Sequence, residues 1–175
     1  MAENNGIVVI GTVFVDIKGY PIAKYIPGGR NAGRVVQVHG GVSRNVAEDI
    51  ANVELRPTFI TVVDDDGTGT DVIEKLNRHR VNTEYIRRVP GGTGTWLAVF
   101  DNSGDVVASI SKRPDTKPIA EILNERGDEI FATAESSCCG PPPAAPRSAS
   151  IMRSVPNICS CASLASGTPS VYTKS

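Results

Sequence analysis

The sequence has 175 residues, enough for one domain with a substantial core, and its net charge at pH 7 is −1. This balance gives no electrostatic reason to expect nucleic acid or an anionic membrane as a partner. No apolar run approaches the ~20 residues of a membrane-spanning helix, and residues 1–5 lack the basic start of a signal peptide. We therefore expect a cytoplasmic protein that binds neither nucleic acid nor membrane.

Strand-like and helix-like runs alternate along residues 6–126. Short β-branched runs predict strands, and apolar residues three or four apart predict helices. The predicted strands cover residues 6–13, 34–38, 58–63, 83–89, 96–100 and 106–110, and the predicted helices cover residues 43–53, 70–80 and 118–126. The alternation indicates an α/β fold with a mainly parallel sheet.

Three of these strands do not fit the alternation. The runs at 96–100 and 106–110 are joined by a polar, Gly-containing loop, which predicts a hairpin. The run at 34–38 is more polar than a buried strand. We expect the three strands to form a small accessory sheet that acts as a lid.

Composition changes abruptly near residue 135. Every Asp and Glu lies at or before Glu135, whereas all four cysteines lie after it. The cysteines are Cys138, Cys139, Cys159 and Cys161. Residues 136–175 are rich in Ser and Pro with little hydrophobic periodicity, which is typical of a disordered segment. We predict one domain over residues 1–135 and a separate, disordered tail over residues 136–175.

The clearest functional signal is Gly-Gly-Val-Ser-Arg-Asn-Val-Ala-Glu at residues 40–48. Gly40 and Gly41 let a ligand approach the backbone. Ser43 is placed to cap the next helix, whose first amides would face that ligand. The Asn45 amide can donate to and accept from hydroxyl groups. The segment predicts a site for a small, hydroxyl-rich ligand; the alternative is that these residues only shape a turn and a cap.

Several motifs together resemble the N-terminal half of a PfkB/ribokinase-type sugar kinase. They are Gly11 with Asp16, the Gly-Gly-x-x-x-Asn run from Gly40 to Asn45, the Asp65-Asp66-x-x-Gly69 turn and the Thr93-Gly94-Thr95 strand. Residues 40–48 and 94–99 are most similar to pseudouridine kinases. The resemblance covers residues from about 6 to 135. It implies a ribokinase-like, Rossmann-like parallel sheet with helices and a small β lid, and an incomplete C-terminal half.

The resemblance also implies a reaction and a substrate site. The reaction is ATP-dependent phosphorylation, with Mg²⁺, of a primary hydroxyl on a sugar or nucleoside, and the 5′ hydroxyl of pseudouridine fits the subgroup. Asp16 would accept hydrogen bonds from ribose hydroxyls, Gly40 and Gly41 would let the sugar lie against backbone amides, and Asn45 would hold another hydroxyl.

The resemblance assigns the lid to the strand that contains Thr93, Thr95 and Trp96. In the family this lid closes over the sugar and often pairs with a second lid, which implies a homodimer. Trp96 is then expected to pack within the lid or the dimer rather than to stack on a base. His39, beside the glycine pair, is expected to be an ordinary strand-end residue.

The catalytic machinery of the family is not found in this sequence. The resemblance places a Gly-Ala-Gly-Asp-like anion hole, its aspartate base and most of the ATP pocket in the later half of a chain about twice as long as the predicted domain. No Gly-x-Gly-Asp sequence follows residue 110. Phosphoryl transfer depends on positioning and charge neutralisation. We expect no catalytic residue here and no activity from this chain alone. The alternatives are a non-catalytic sugar-binding or dimerisation module and one half of a split kinase.

The tail has a feature that suggests its origin. Where the family continues into an apolar strand, the chain has Ser136, Ser137, Cys138 and Cys139. Codons for an Ile-Val-Leu run, read one base late, give Ser, Cys and then Cys or Trp. Our hypothesis is that residues 136–175 come from a shifted reading frame or an aberrant splice.

Three positions depart from the family pattern. Ser43 stands where glycine or alanine is usual, Glu54 where a helix-ending glycine is usual, and Asp64 where a glycine precedes the Asp pair. If the usual glycines have positive φ, an acidic residue there costs on the order of 1 kcal/mol or more.

We predict no metal site. Asp64, Asp65 and Asp66 are adjacent carboxylates, which more often cap a helix than bind an ion. The spacing of the four cysteines matches no usual zinc pattern.

Overall fold

The computed structural model describes residues 6–132, 134, 136–139 and 158–160. These residues form nine strands and three helices. In chain order they are β1 (Ile7–Ile10), β2 (Phe14–Pro21), β3 (Gly33–Gly40), α1 (Val42–Asn52), β4 (Thr58–Val63), α2 (Gly67–Arg78), β5 (Ile86–Arg88), β6 (Gly94–Phe100), β7 (Val106–Lys112), α3 (Lys117–Phe131), β8 (Ser136–Cys139) and β9 (Ile158–Ser160).

The main sheet has the strand order β5-β4-β1-β8-β9, and every neighbouring pair is parallel. Its central strands are β-branched and buried because helices cover both faces. Val8 and Ile60 face α3, where they pack with Leu123. Val9 and Phe59 face the other way and pack with α1 and α2. This three-layer arrangement confirms the α/β fold with a parallel sheet.

The accessory sheet has the order β3-β2-β6-β7. Strands β2 and β3 are antiparallel, β2 and β6 are parallel, and β6 and β7 form the predicted hairpin. The sequence predicted three of these four strands and missed β2, in which Asp16 and Lys18 interrupt the apolar pattern. Asp16 therefore lies inside a lid strand and not at the end of β1.

The expectation that Ser43 caps α1 is wrong. The helix begins at Val42, its N-cap is Gly41 with φ 100°, and no side chain bonds to the first amides. Ser43 is buried within the first turn. The physical reason is that Gly41 adopts a backbone conformation open to glycine, which starts the helix before Ser43.

Two strands lie within the segment for which we expected disorder. Strand β8 pairs with β1 in the register Val8 with Ser137, and β9 pairs with β8. The expectation of disorder is therefore corrected for residues 136–139 and 158–160. Residues 140–157 and 161–175, including Cys161, lie outside the described residues. The boundary at residue 135 and the shifted-frame origin of the tail stay predictions.

The sequence led us to expect backbone strain at Glu54 and at Asp64, and of these two the structure shows positive φ only at Glu54, at the end of α1. Glu54 has φ 66°, and its N–H donates to the Ala51 carbonyl over 3.1 Å. Asp64 is not among the described non-glycine residues with positive φ. Glu54 therefore has a strained backbone conformation at the end of α1, whereas Asp64 does not.

Replacing Glu54 with Gly is expected to stabilise the fold by about 0.5–1 kcal/mol, because glycine adopts this conformation without steric strain. The measurement is the free energy of unfolding in urea. Val53→Gly is the matched control, because Val53 has φ −93° and the change should destabilise the fold. A Glu54→Gly variant that is less stable than the parent would contradict the assignment of strain to Glu54.

Candidate functional site

The candidate site lies where the two sheets meet. Asp16 pairs in register with Val38 of β3 and with Trp96 of β6, so the three residues share one face of the accessory sheet. The carboxylate of Asp16 lies against Gly40: a Cβ on Gly40 would sit 2.9 Å from its Oδ1. Because Gly40 has no side chain, the carboxylate packs directly on the backbone at the start of α1.

Gly41 brings the start of α1 against the connection between β1 and β2. A Cβ on Gly41 would lie 2.8 Å from the Thr12 carbonyl oxygen and 3.1 Å from the Phe14 nitrogen. Together with its φ of 100°, this close approach permits only glycine. The close approach fixes the start of α1 beside the backbone that Asp16 contacts, and the first amides of α1 have no side-chain cap among the described residues.

Arg44 connects the glycine turn to Asn45. Its Nε donates to the Gly40 carbonyl over 3.1 Å, and its Nη2 donates to the Oδ1 of Asn45. Its Nη1 forms an ion pair with Glu48 one helical turn later. Lys75 of α2 reaches the same Glu48 oxygen at 3.6 Å. The guanidinium is therefore surrounded by partners although Arg44 is buried.

The charges behind the turn shift two pKa values. Burial raises the pKa of Glu48, but the hydrogen bond and charge of Arg44 and the charge of Lys75 outweigh burial, so the pKa lies below its ordinary value. Burial lowers the pKa of His39, and the charges of Lys75 and Arg44 lower it further. Both shifts favour a network in which Glu48 is ionised and His39 is neutral near pH 7.

The three lid residues from the sequence have different positions. Trp96 lies on the Asp16 face, where the Lys18 ammonium is 5.8 Å from its ring centroid and 3.5 Å from the Asp16 carboxylate. Thr95 alternates with Trp96 and so faces the other way. Thr93 is buried, and its hydroxyl accepts from the Asp64 amide over 2.9 Å, which ties the start of the lid strand to the end of β4.

The structure thus brings Asp16, Gly40, Gly41 and Trp96 together, with Asn45 joined to them through Arg44. Lys18 and Arg44 were missed by sequence reasoning. The position of Lys18 two residues after Asp16 is a usable signal once β2 is known to be a strand, because both side chains then share a face. Nothing in the sequence indicates that Arg44 is buried.

The three consecutive aspartates do not form a cluster. Asp66 is the N-cap of α2 and accepts from the Gly69 amide over 3.0 Å, which confirms the capping interpretation. Asp64 lies 4.0 Å from Lys112 of β7. Across the described ranges, no group of three or more His, Cys, Asp or Glu side chains is placed to hold a metal ion. In the same part of the chain, no helix has the length and apolar character to span a membrane.

A central parallel sheet, a β lid and a glycine turn between them define a ribokinase-like fold. The fold is shared with ribokinase from Arabidopsis thaliana, whose structure holds ribose and ATP: the TM-score is 0.58 at 19% identity, over 77% of this chain and 44% of that one. The family model for the pfkB family carbohydrate kinases matches residues 4–131. The chain belongs to this family, whose kinases use ATP.

Two curated relatives are nucleoside kinases. The guanosine-inosine kinase of Exiguobacterium acetylicum is 40% identical over 120 residues, which are 68% of this chain and 40% of that protein. The pseudouridine kinase of Escherichia coli is 28% identical over 132 residues, 74% of this chain and 42% of that protein. The chain therefore spans about two fifths of the length of these relatives.

Replacing Glu48 with Gln is expected to lower stability at pH 7 and to remove part of its pH dependence. Since the folded-state pKa of Glu48 is below its ordinary value of 4.5, its contribution is present above that value and lost as the pH falls through the folded-state pKa. Urea unfolding between pH 7 and pH 3 measures the difference in the free energy of unfolding between the parent and the variant. This difference should become smaller as the pH approaches 3.

Glu121→Gln is the control for this experiment, because Glu121 pairs with Arg87 at an exposed position where ion pairs contribute little. If the Glu48 variant and the parent lost stability in parallel down to pH 3, Glu48 would not contribute as described.

Proposed function

We propose that this chain binds the ribose of a ribonucleoside and forms the substrate-binding part of a nucleoside kinase that phosphorylates the 5′ hydroxyl. The observation that carries the proposal is the Asp16 carboxylate packed on Gly40 beside the Gly41 turn. A carboxylate accepts hydrogen bonds from hydroxyl protons, and exposed backbone amides donate to hydroxyl oxygens. The two kinds of group together suit the adjacent hydroxyls of a ribose.

The lid face that carries Asp16 supports a nucleoside rather than a free sugar. Trp96 is in register with Asp16, and Lys18 lies between the carboxylate and the indole ring. A flat aromatic surface beside a sugar site can stack on a base. Trp96 packs edge-on against Phe100 within the lid, as the sequence led us to expect, and in this proposal its remaining surface also contacts the base. Thr93 anchors the lid strand, and Thr95 lies on the outer face of the lid.

Two bases are candidates. Residues 40–48 and 94–99 resemble pseudouridine kinases, which favours pseudouridine. The 40% identity to a guanosine-inosine kinase favours a purine nucleoside. Titration of guanosine, inosine and pseudouridine into the chain, with free ribose as the reference, distinguishes a purine from pseudouridine. Because the three nucleosides share the ribose, differences between their dissociation constants come from the base.

We also propose that two copies of the chain associate through the outer face of the lid. Val35 and Ile110 point away from the Asp16 face and are 73% and 70% exposed, and Leu97 lies in the same row as Ile110. A dimer would cover these side chains. We further propose a cytoplasmic location. The net charge of −1 gives no electrostatic reason to expect nucleic acid or an anionic membrane as a partner.

Gly40→Ala is expected to weaken nucleoside binding by about tenfold or more, because the new Cβ would push the Asp16 carboxylate away and a charge-assisted hydrogen bond contributes ~1.5–3 kcal/mol. The fold should persist, since a flexible side chain can move. Isothermal titration calorimetry measures the dissociation constant, and the melting temperature monitors the fold.

Gly19→Ala is the matched control in the same sheet, because its Cβ would lie 3.8 Å from the Ala98 carbonyl oxygen, an ordinary contact. It should leave the dissociation constant unchanged. Equal affinity in the Gly40→Ala variant and the parent would remove the support for the ribose site.

Phosphoryl transfer by this chain alone is not expected. The anion hole that the family resemblance implies has no counterpart in the sequence, and we assign no residue to ATP or Mg²⁺. We expect no ATP hydrolysis or nucleoside phosphorylation with the purified chain, and turnover only after a C-terminal half of a family kinase is added. Turnover by the chain alone, measured as nucleotide product, would refute the proposal; binding without turnover under both conditions would favour a non-catalytic binding module.

A further inference from the structure

Arg44 is a buried charged residue beside the proposed site, with 5% of its surface exposed. Arginines are rarely this buried unless they are paired. Three parts of the guanidinium have separate partners: Nε bonds the Gly40 carbonyl, Nη2 bonds the Asn45 amide oxygen and Nη1 pairs with Glu48. Two of these three partners are residues of the proposed ribose site.

The bond to Asn45 fixes which end of its amide is available. The Oδ1 atom accepts from Arg44, and among the described residues nothing accepts from Nδ2. Asn45 is exposed at the start of α1, beside the glycine turn. The amide therefore presents its NH₂ group, which can only donate. Without Arg44, a rotation about the last side-chain bond would exchange donor and acceptor.

The guanidinium is itself held in place. Glu48 lies one helical turn after Arg44, and Lys75 reaches Glu48 from α2 at 3.6 Å. Two packed helices thus support the charge that orients Asn45. The Gly40 carbonyl, which receives the Nε bond at 3.1 Å, is at the point where Asp16 contacts the backbone.

We propose that Arg44 is a positioning residue for nucleoside recognition, which holds Asn45 as a hydrogen-bond donor to a ribose hydroxyl oxygen while Asp16 accepts a hydroxyl proton. This inference rests on the proposed function and deepens it. The site then offers one fixed acceptor and one fixed donor, a pattern that a diol satisfies at both groups. A ligand that presents only donors toward Asn45 is rejected.

A double-mutant cycle tests whether Arg44 acts through Asn45. Arg44→Lys keeps the positive charge near Glu48 but loses the planar fork that bonds two partners at once. We expect it to raise the dissociation constant for the best-binding nucleoside about five- to tenfold in the parent and less than about twofold in an Asn45→Ala background. An equal effect in both backgrounds would show that Arg44 acts only through the fold and would overturn the proposal.

Two further variants guard against a loss of folding. Asn45→Asp replaces the donating NH₂ with an oxygen without changing Arg44, so binding should fall at least about tenfold while the melting temperature holds. Unchanged affinity would contradict the donor role. Arg87→Lys is the matched control, because Arg87 pairs with Glu121 and Glu125 of α3 at an exposed surface. It should leave the affinity unchanged.

A measurement without ligand separates this inference from the proposed function. In ¹H–¹⁵N spectra of the full chain, Arg44→Lys should shift the side-chain NH₂ signals of Asn45, and Arg87→Lys should not. If the parent bound none of the three nucleosides, the proposed function would fail, and these signals would still report whether Arg44 orients Asn45. Unshifted Asn45 signals would overturn the inference whatever the binding result.

Discussion

The approach of Gly41 to the Thr12 carbonyl, where an added Cβ would lie only 2.8 Å away, is the constraint on which the site depends. At this point β3 of the lid ends and α1 of the main layer begins. The chain also passes from β1 into β2 here, so two of the connections between the two sheets lie in contact. A side chain at Gly41 would separate them and would move the helix start away from Asp16.

The glycine turn at Gly40 and Gly41 also explains why a charged residue, Arg44, can be buried behind the site. A backbone turn built on glycines has few side chains to hold it, so its carbonyls need other partners. Arg44 supplies a donor to the Gly40 carbonyl, and Glu48 with Lys75 compensates its charge. Removing one member would leave a buried charge without its partner, which is more costly than losing an exposed pair.

The sequence predicted the elements that have a local hydrophobic pattern. It missed features that depend on contacts with residues distant in the chain. Strand β4 was predicted with its observed bounds because its six residues are β-branched or apolar without interruption, which is typical of a strand that is buried on both faces. Strand β2 was missed because only its pairing with β3 and β6 makes Asp16 a strand residue. Ser43 was predicted as the helix cap because no sequence pattern reveals the positive φ of Gly41, which starts the helix earlier. The contacts of Arg44 with Gly40, Asn45 and Glu48 are likewise visible only in the structure.

Strand β8 shows why composition misleads about sheet membership. Pairing with β1 uses backbone groups, which Ser and Cys carry as well as Val and Ile. What composition changes is the packing: Ser137 is 1% exposed, and its hydroxyl has no hydrogen-bond partner among the described residues. A buried hydroxyl of this kind costs ~1–3 kcal/mol. Strand β8 is therefore compatible with the sheet through its backbone, whereas the Ser137 side chain places in the interior a hydroxyl that no described residue satisfies.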